Sequence, residues 1–198
     1  MHKTLPKDAV LIPSNAEKVF SGVIFDLFQW QQELYDGTNA TFEMGKRADT
    51  VIVLAIDGDQ IIVLSEQQPG KPLVDTLPGG RPDPTDDSWL DAAKREMHEE
   101  TGMEFESWRL IEVTQPTPKL EWFCATFLAF DKIATSPPHL DAGEKITVRK
   151  VPLSELKELI MGEGRSGLGH LALLMQDINT VKDILNIPEY IGTDVSRD

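Results

Sequence analysis

The segment Arg95-Glu96-Met97-His98-Glu99-Glu100-Thr101-Gly102-Met103 carries three glutamates at spacings of three and four. On a helix these spacings crowd Glu96, Glu99 and Glu100 into one sector, where like charges at i,i+4 destabilise by about 0.2–0.5 kcal/mol per pair. Two readings of that arrangement compete. Glutamate is a good helix former, and a solvated acidic face is the ordinary meaning of such a cluster. Alternatively, hard oxygen ligands converge on a divalent cation, Mg²⁺ or Mn²⁺, whose charge reverses the repulsion. The preceding residues favour the cation. Leu77-Pro78-Gly79-Gly80 ends a strand in a Gly-Gly turn, and without Cβ atoms the backbone can approach a ligand or ion closely.

The glutamates need a helix to carry them. Ser88 is a suitable N-cap with Asp91 three residues on, and Gly102 is a natural left-handed stop, so the helix is expected from about Trp89 to Glu100. Leu90, Ala93 and Met97 form an apolar stripe that faces the core, with the glutamates in the adjoining sector at its edge. His98 projects toward the exposed side and is not read as a base.

Around this helix the pattern is α+β. Val19 to Trp30, the turn Tyr35-Asp36-Gly37-Thr38 and Ala40 to Met44 suggest a small N-terminal antiparallel sheet over residues 1–47. From Thr50 two buried strands flank the turn Asp57-Gly58-Asp59 and open a main domain over residues 48–198. Further strands are expected at Leu73 to Leu77, Arg109 to Thr114, Trp122 to Phe130 and Ile146 to Val151. Helices are expected at Ser154 to Met161, capped by Ser154, and at Gly169 to Ile178.

Composition restricts the partners. With 33 Asp and Glu against 19 Lys and Arg, the chain carries a formal charge of −14, which repels nucleic acid and anionic membranes. A polyanionic substrate therefore needs a cation as intermediary. Cys124 is the single cysteine, so no internal disulfide forms; it reads as a small buried hydrophobe, and the chain as cytoplasmic. Trp30, Phe28 and Trp122 read as core or interface residues before base-stacking ones. The run Gly162 to Gly169, GEGRSGLG, lacks the Gly-Lys-Ser/Thr ending of a phosphate loop.

The segment from Arg95 to Met103 resembles the second half of the Nudix hydrolase box, G-x5-E-x7-R-E-U-x-E-E-x-G-U with U apolar. The first half departs from it. Gly80 to Arg95 is one residue longer than in the box, and the acidic position falls on Asp86 or Asp87. The resemblance spans roughly residues 17 to 178 and is nearest the ADP-ribose pyrophosphatase branch. It rests there on Ser65-Glu66-Gln67-Gln68, the Pro116-Thr117-Pro118 loop and Asp141-Ala142-Gly143-Glu144 before ITVRKVP.

The resemblance implies a mixed sheet between helices, an α/β/α sandwich. It implies Mg²⁺ or Mn²⁺ held by Glu96, Glu99, Glu100 and the Gly79 carbonyl, Arg95 orienting the glutamates, and Glu144 as general base with Glu121 the other acidic candidate. It implies a homodimer built through the N-terminal sheet. The substrate is expected to be a nucleoside diphosphate-linked small molecule, ADP-ribose giving AMP and ribose 5-phosphate. Nucleotide sugars, dinucleoside polyphosphates and nucleoside triphosphates are the alternatives, as is a catalytically silent nucleotide-binding module. Pro69 stands where many members carry a substrate-binding arginine.

Overall fold

The structure, a computed structural model, describes residues 2–140, 142–143, 145–162 and 168–196. In chain order the strands and helices are β1 (His2–Leu5), β2 (Glu17–Ser21), β3 (Asp26–Glu33), β4 (Asn39–Lys46), β5 (Thr50–Asp57), β6 (Gln60–Gln67), β7 (Val74–Thr76), β8 (Gly79–Gly80), α1 (Trp89–Thr101), β9 (Met103–Thr114), β10 (Leu120–Glu121), β11 (Cys124–Thr135), β12 (Lys145–Val151), α2 (Leu153–Met161), α3 (Val181–Leu185) and β13 (Thr193–Ser196).

β5 and β6 form the centre. Both are rich in β-branched residues and are joined at Gly58, whose φ of 69° supplies the positive dihedral that so tight a hairpin demands. They pair only next to the turn, at Ile56↔Ile61 and Asp57↔Gln60. Beyond it they diverge. β6 turns to β12 and β7, whereas β5 runs parallel to β11 and antiparallel to β8, with β9 outside β11. This divergence gives β8 its place beside β5.

Alternation along the strands divides the core into two layers. Val51, Val53 and Ala55 of β5, with Ala125, Phe127 and Ala129 of β11, pack with Ala92, Ala93 and Met97 of α1. Leu54, Ile56 and Leu128 belong to a second cluster with Leu156 and Ile160 of α2 and Ile184 of α3. Helices thus cover opposite faces of a mixed sheet, the α/β/α arrangement expected. The small N-terminal sheet is also present, in the order β10-β4-β3-β2. Its fourth strand, β10, comes from residues beyond the expected boundary at 47, and β1 pairs with β13 while Leu5 enters the main core.

Several elements differ from expectation. The stripe of α1 that faces the core runs through Trp89, Ala92, Ala93 and Met97, and Leu90 is only partly buried. Pro152, and not Ser154, precedes α2, and no side-chain cap is made. Gly169 to Ile178 is not an α-helix. A 3₁₀ turn at Gly169–Leu171 gives way to irregular turns that still bury Leu171, Met175 and Ile178, so the apolar spacing reflects repeated turns in place of one continuous helix. α3 was not anticipated, although Thr180 and Asp183 form a full capping box at its start. β9 begins six residues earlier than Arg109, with Met103 and Phe105 inward and Glu104 and Glu106 outward.

Met97 has no exposed surface and joins α1 to the sheet. Met97→Ala should lower unfolding free energy by about 2–5 kcal/mol, the range for opening a cavity at a fully buried site. Urea denaturation with an unchanged slope is the measurement.

Candidate functional site

Ser88 accepts a hydrogen bond from the Asp91 N–H at 3.2 Å, and Gly102 closes α1 at φ 69°. Between these caps, Glu96 is mostly buried, Glu99 is half exposed and Glu100 retains 6% of its surface. All three line one cleft of about 610 Å³, together with Gly79 and Gly80 from β8.

The two glycines explain how carboxylates come against backbone. A Cβ on Gly79, whose φ is 151°, would lie 2.1 Å from the Val51 carbonyl oxygen, so pairing of β8 with β5 requires glycine there. A Cβ on Gly80 would lie 2.4 Å from Glu96 Oε1. The Glu96 carboxylate therefore occupies the room that a side chain would fill. The Gly79 N–H donates to Glu100 Oε2 at 2.8 Å, fixing the second carboxylate to the same turn.

Arg95 reaches across the cleft. Its Nη1 lies 3.0 Å from Glu96 Oε1 and 2.8 Å from Glu99 Oε2, while its Nη2 donates to Asp86 Oδ2 at 3.1 Å and to the Arg81 carbonyl at 3.0 Å. Burial acts to lower its pKa, but the Asp86 hydrogen bond and the glutamate charges outweigh it and hold the guanidinium charged far above any working pH. Asp86 is shifted in turn. Burial pushes its carboxyl up, yet hydrogen bonds from Arg95 and from the Asp83 N–H hold it below the ordinary 3.8. Asp86 in the lengthened loop is thus the anchor of Arg95, and Asp87 is exposed.

These residues suit a hard divalent cation by donor type, burial and the bare glycine wall. Among the described residues no three carboxylate, imidazole or thiol groups already stand together as a metal site. Arg95 Nη1 lies against Glu96 and Glu99, and Glu100 accepts from the Gly79 N–H.

Other expected residues lie elsewhere. Glu121 is 5% exposed and outside the cleft, accepting from Lys46 Nζ and from the Ile12 N–H, both at 2.8 Å, so it braces the N-terminal segment. Glu144 and residues 163–167 of the Gly162 to Gly169 run fall outside the described residues. Trp122 is covered by the Arg47 guanidinium at 4.5 Å, Trp30 packs near Phe42, and neither lines the cleft. Cys124 is buried, and burial pushes its thiol up to about 11, which suits a packed hydrophobe and not a nucleophile. Four residues that were not among the expected site residues also line the cleft: Glu66, Gln68, Arg81 and His139. Glu66 and Gln68 belong to the Ser65-Glu66-Gln67-Gln68 segment that carries the resemblance, and Arg81 directly follows the Gly-Gly turn; His139 had no local signal.

The NUDIX domain model matches residues 46–168, more than half of the chain. The chain belongs to the Nudix family. At that level of description it is a Nudix pyrophosphohydrolase, of a family that uses a divalent cation on nucleoside diphosphate-linked compounds. Matches to solved structures number 280 chains; one is a crystal structure described as an ADP compounds hydrolase. It is 20% identical, covers 81% of this chain and 86% of that chain, and superposes with a TM-score of 0.62. Likeness at that identity shows the Nudix fold alone. No curated protein matches the chain. Among the described residues no helix is long and apolar enough to cross a membrane.

The Asp86–Arg95 clamp predicts a pH signature. Because the Asp86 pKa is depressed in the folded state, its contribution is present above the unfolded value of 3.8 and is lost as pH falls through the lowered one. Asp86→Asn should cost about 1.5–3 kcal/mol at neutral pH, the range for a hydrogen bond to a charged group, and progressively less as pH falls below the unfolded value of 3.8 and through the lowered folded one. Denaturant titrations of both proteins at neutral and acid pH measure the difference.

Proposed function

We propose that this Nudix enzyme hydrolyses the pyrophosphate linkage of a nucleoside diphosphate-linked small molecule, with ADP-ribose, cleaved to AMP and ribose 5-phosphate, as its first candidate substrate. The observation that carries the reading is the wall formed by Gly79 and Gly80, against which Glu96 and Glu100 lay their carboxylates in a cleft large enough for such a ligand. Resemblance to the ADP-ribose pyrophosphatase branch and likeness to a fold described as an ADP compounds hydrolase favour the ADP moiety at the level of analogy.

Glu96 and Glu100 are the proposed direct ligands of Mg²⁺ or Mn²⁺, with the Gly79 carbonyl beside them and Glu99 binding a second ion or acting through water. The bound cation neutralises substrate charge and lowers the pKa of an attacking water. Arg95 is a positioning residue: held by Asp86, it keeps Glu96 and Glu99 aligned and can release them without leaving the cleft. Glu144 is the proposed general base. Support comes from the segment that leads to it, since the His139 N–H donates to the Glu99 carbonyl at 2.7 Å and the Ser136 N–H to the Gly102 carbonyl at 2.7 Å. These bonds tie the chain five residues before Glu144 to the end of the glutamate helix.

The decisive experiment offers purified protein a panel of ADP-ribose, nucleotide sugars, dinucleoside polyphosphates and nucleoside triphosphates with Mg²⁺, and separates the products chromatographically. AMP and ribose 5-phosphate should appear with ADP-ribose and vanish in excess chelator. Glu100→Gln should lose most turnover through weakened metal binding, and Glu144→Gln should lower kcat by about 10²–10⁴-fold with substrate affinity kept. A panel bound without turnover would point to the silent binding module.

We also propose a homodimer. Phe20 of β2, Val23, Ile24 and Phe25 in the turn after it, and Phe42 of β4 are exposed by 39% to 100%, apolar surface that a second copy of the chain would cover. Light scattering at micromolar concentration should return twice the 22.1 kDa chain mass; a monomer mass would overturn this.

A further inference from the structure

The cleft is acidic, yet one of its cations is left over. Arg95 is fully engaged by Asp86, Glu96, Glu99 and the Arg81 carbonyl. Arg81 also lines the cleft, and among the described residues its guanidinium takes part in no hydrogen bond or ion pair, although Glu66, Asp83, Glu96, Glu99 and Glu100 line the same space. An exposed arginine is ordinarily just solvated. Three features distinguish this one.

First, its backbone is engaged while its guanidinium pairs with no described residue. The Arg81 carbonyl accepts from Arg95 Nη2 at 3.0 Å, and Pro82 biases the residue before it toward extended backbone. Secondly, it directly follows Gly80, whose missing side chain makes room for the Glu96 carboxylate, so the Arg81 side chain starts from the wall of the proposed metal site. Thirdly, the nearby carboxylates are already engaged: Arg95 holds Glu96 and Glu99, Glu100 accepts from the Gly79 N–H, and Glu66 accepts from Gln68 Nε2 at 2.6 Å. A guanidinium that lines the same cleft as these carboxylates and pairs with none of the described ones is available to an incoming anion.

We propose that Arg81 is a substrate-binding residue that donates to a non-bridging phosphate oxygen of the pyrophosphate, on the side of that group away from the glutamates. The inference rests on the hydrolase reading for the presence of a pyrophosphate ligand, and assigns the protein's own direct contact to it. A guanidinium suits the task because its planar N–H donors match two phosphate oxygens at once, whereas an ammonium acts as a point charge.

The test is a binding measurement, so it does not depend on turnover. Titration calorimetry of the Mg²⁺-loaded protein with α,β-methylene ADP, whose P–C–P bridge resists hydrolysis, compares wild type with Arg81→Gln and Arg81→Lys. Arg81→Gln should bind about 10- to 100-fold more weakly, the loss of a charge-assisted hydrogen bond, and Arg81→Lys should recover part of the difference. The thermal midpoint and Mg²⁺ affinity should stay at wild-type values, because among the described residues the Arg81 guanidinium makes no hydrogen bond or ion pair that the substitution would remove. With the hydrolysed substrate, KM should rise while kcat changes little. Equal affinities for the analogue, no binding by the wild type, or a fall in kcat at unchanged KM would overturn the assignment. Analogue binding that depends on Arg81 in a protein that turns over no member of the panel would sustain it while refuting the hydrolase reading.

Discussion

The acidic cleft depends on the charge of Arg95. Glu96, Glu99 and Asp86 sit close enough to repel one another in a chain that already carries −14, and a single guanidinium offsets all three. Because its donors point along two edges, it holds Asp86 and the Arg81 carbonyl on one side and the glutamates on the other. Lysine could not make both sets of bonds from one point charge. The same geometry makes the glutamates exchangeable. Were a cation to take the glutamates in place of Nη1, the arginine would still have the loop contacts that its Nε and Nη2 make with Asp86 and the Arg81 carbonyl.

The backbone supplies the second half of the site. β5 and β6 separate two residue pairs from their turn, and β7 and β8 occupy the opened edges. Val51↔Gly80 and Ile52↔Gly79 then place bare backbone beneath the first turns of cleft surface, and the Val53 N–H extends the ladder to the Pro78 carbonyl at 2.8 Å. A side chain at either glycine meets atoms already in place, backbone at Gly79 and a carboxylate at Gly80. The sheet therefore fixes where the carboxylates can go, and α1 is held to that sheet by Ala92, Ala93 and Met97. Packing and chemistry share one helix, with Met97 and Glu100 on the buried side and Glu99 at the rim.

Charge placement separates the two ends of the molecule. Away from the cleft, buried carboxylates have dedicated partners: Asp49 with Lys3 at 2.7 Å, Glu121 with Lys46 at 2.8 Å. Both pairs clamp the N-terminal segment to the body, and an ion that loses its partner in such a place is costly. In the cleft the balance is different: among the described residues five carboxylates and two guanidinium groups line it. That excess of negative charge is the condition under which a divalent cation gains most from binding.

Local pattern was enough to identify α1, its Ser88 and Gly102 caps, the β5–β6 hairpin and the acid cluster, because each depends on neighbours within a few residues. It was also enough for the α+β class, since alternating strands and a 3.6-residue stripe need opposite faces to bury. It misjudged Gly169 to Ile178, where burial at helical spacing is met by successive turns, and it missed the early start of β9, whose pairing with β11 is a contact between distant segments. The role of Asp86 was equally out of reach: one inserted residue blurs the spacing, and only the folded loop shows that the carboxyl meets Arg95. His139, beyond the end of β11, lines the cleft and carries no local mark of it. The sequence by itself determined which residue types could hold a cation and that they would share a helix face, because helical periodicity is local. Tertiary structure alone decided what confronts that face, because the glycine wall and the Asp86 anchor arise from segments brought together only when β5 and β6 part.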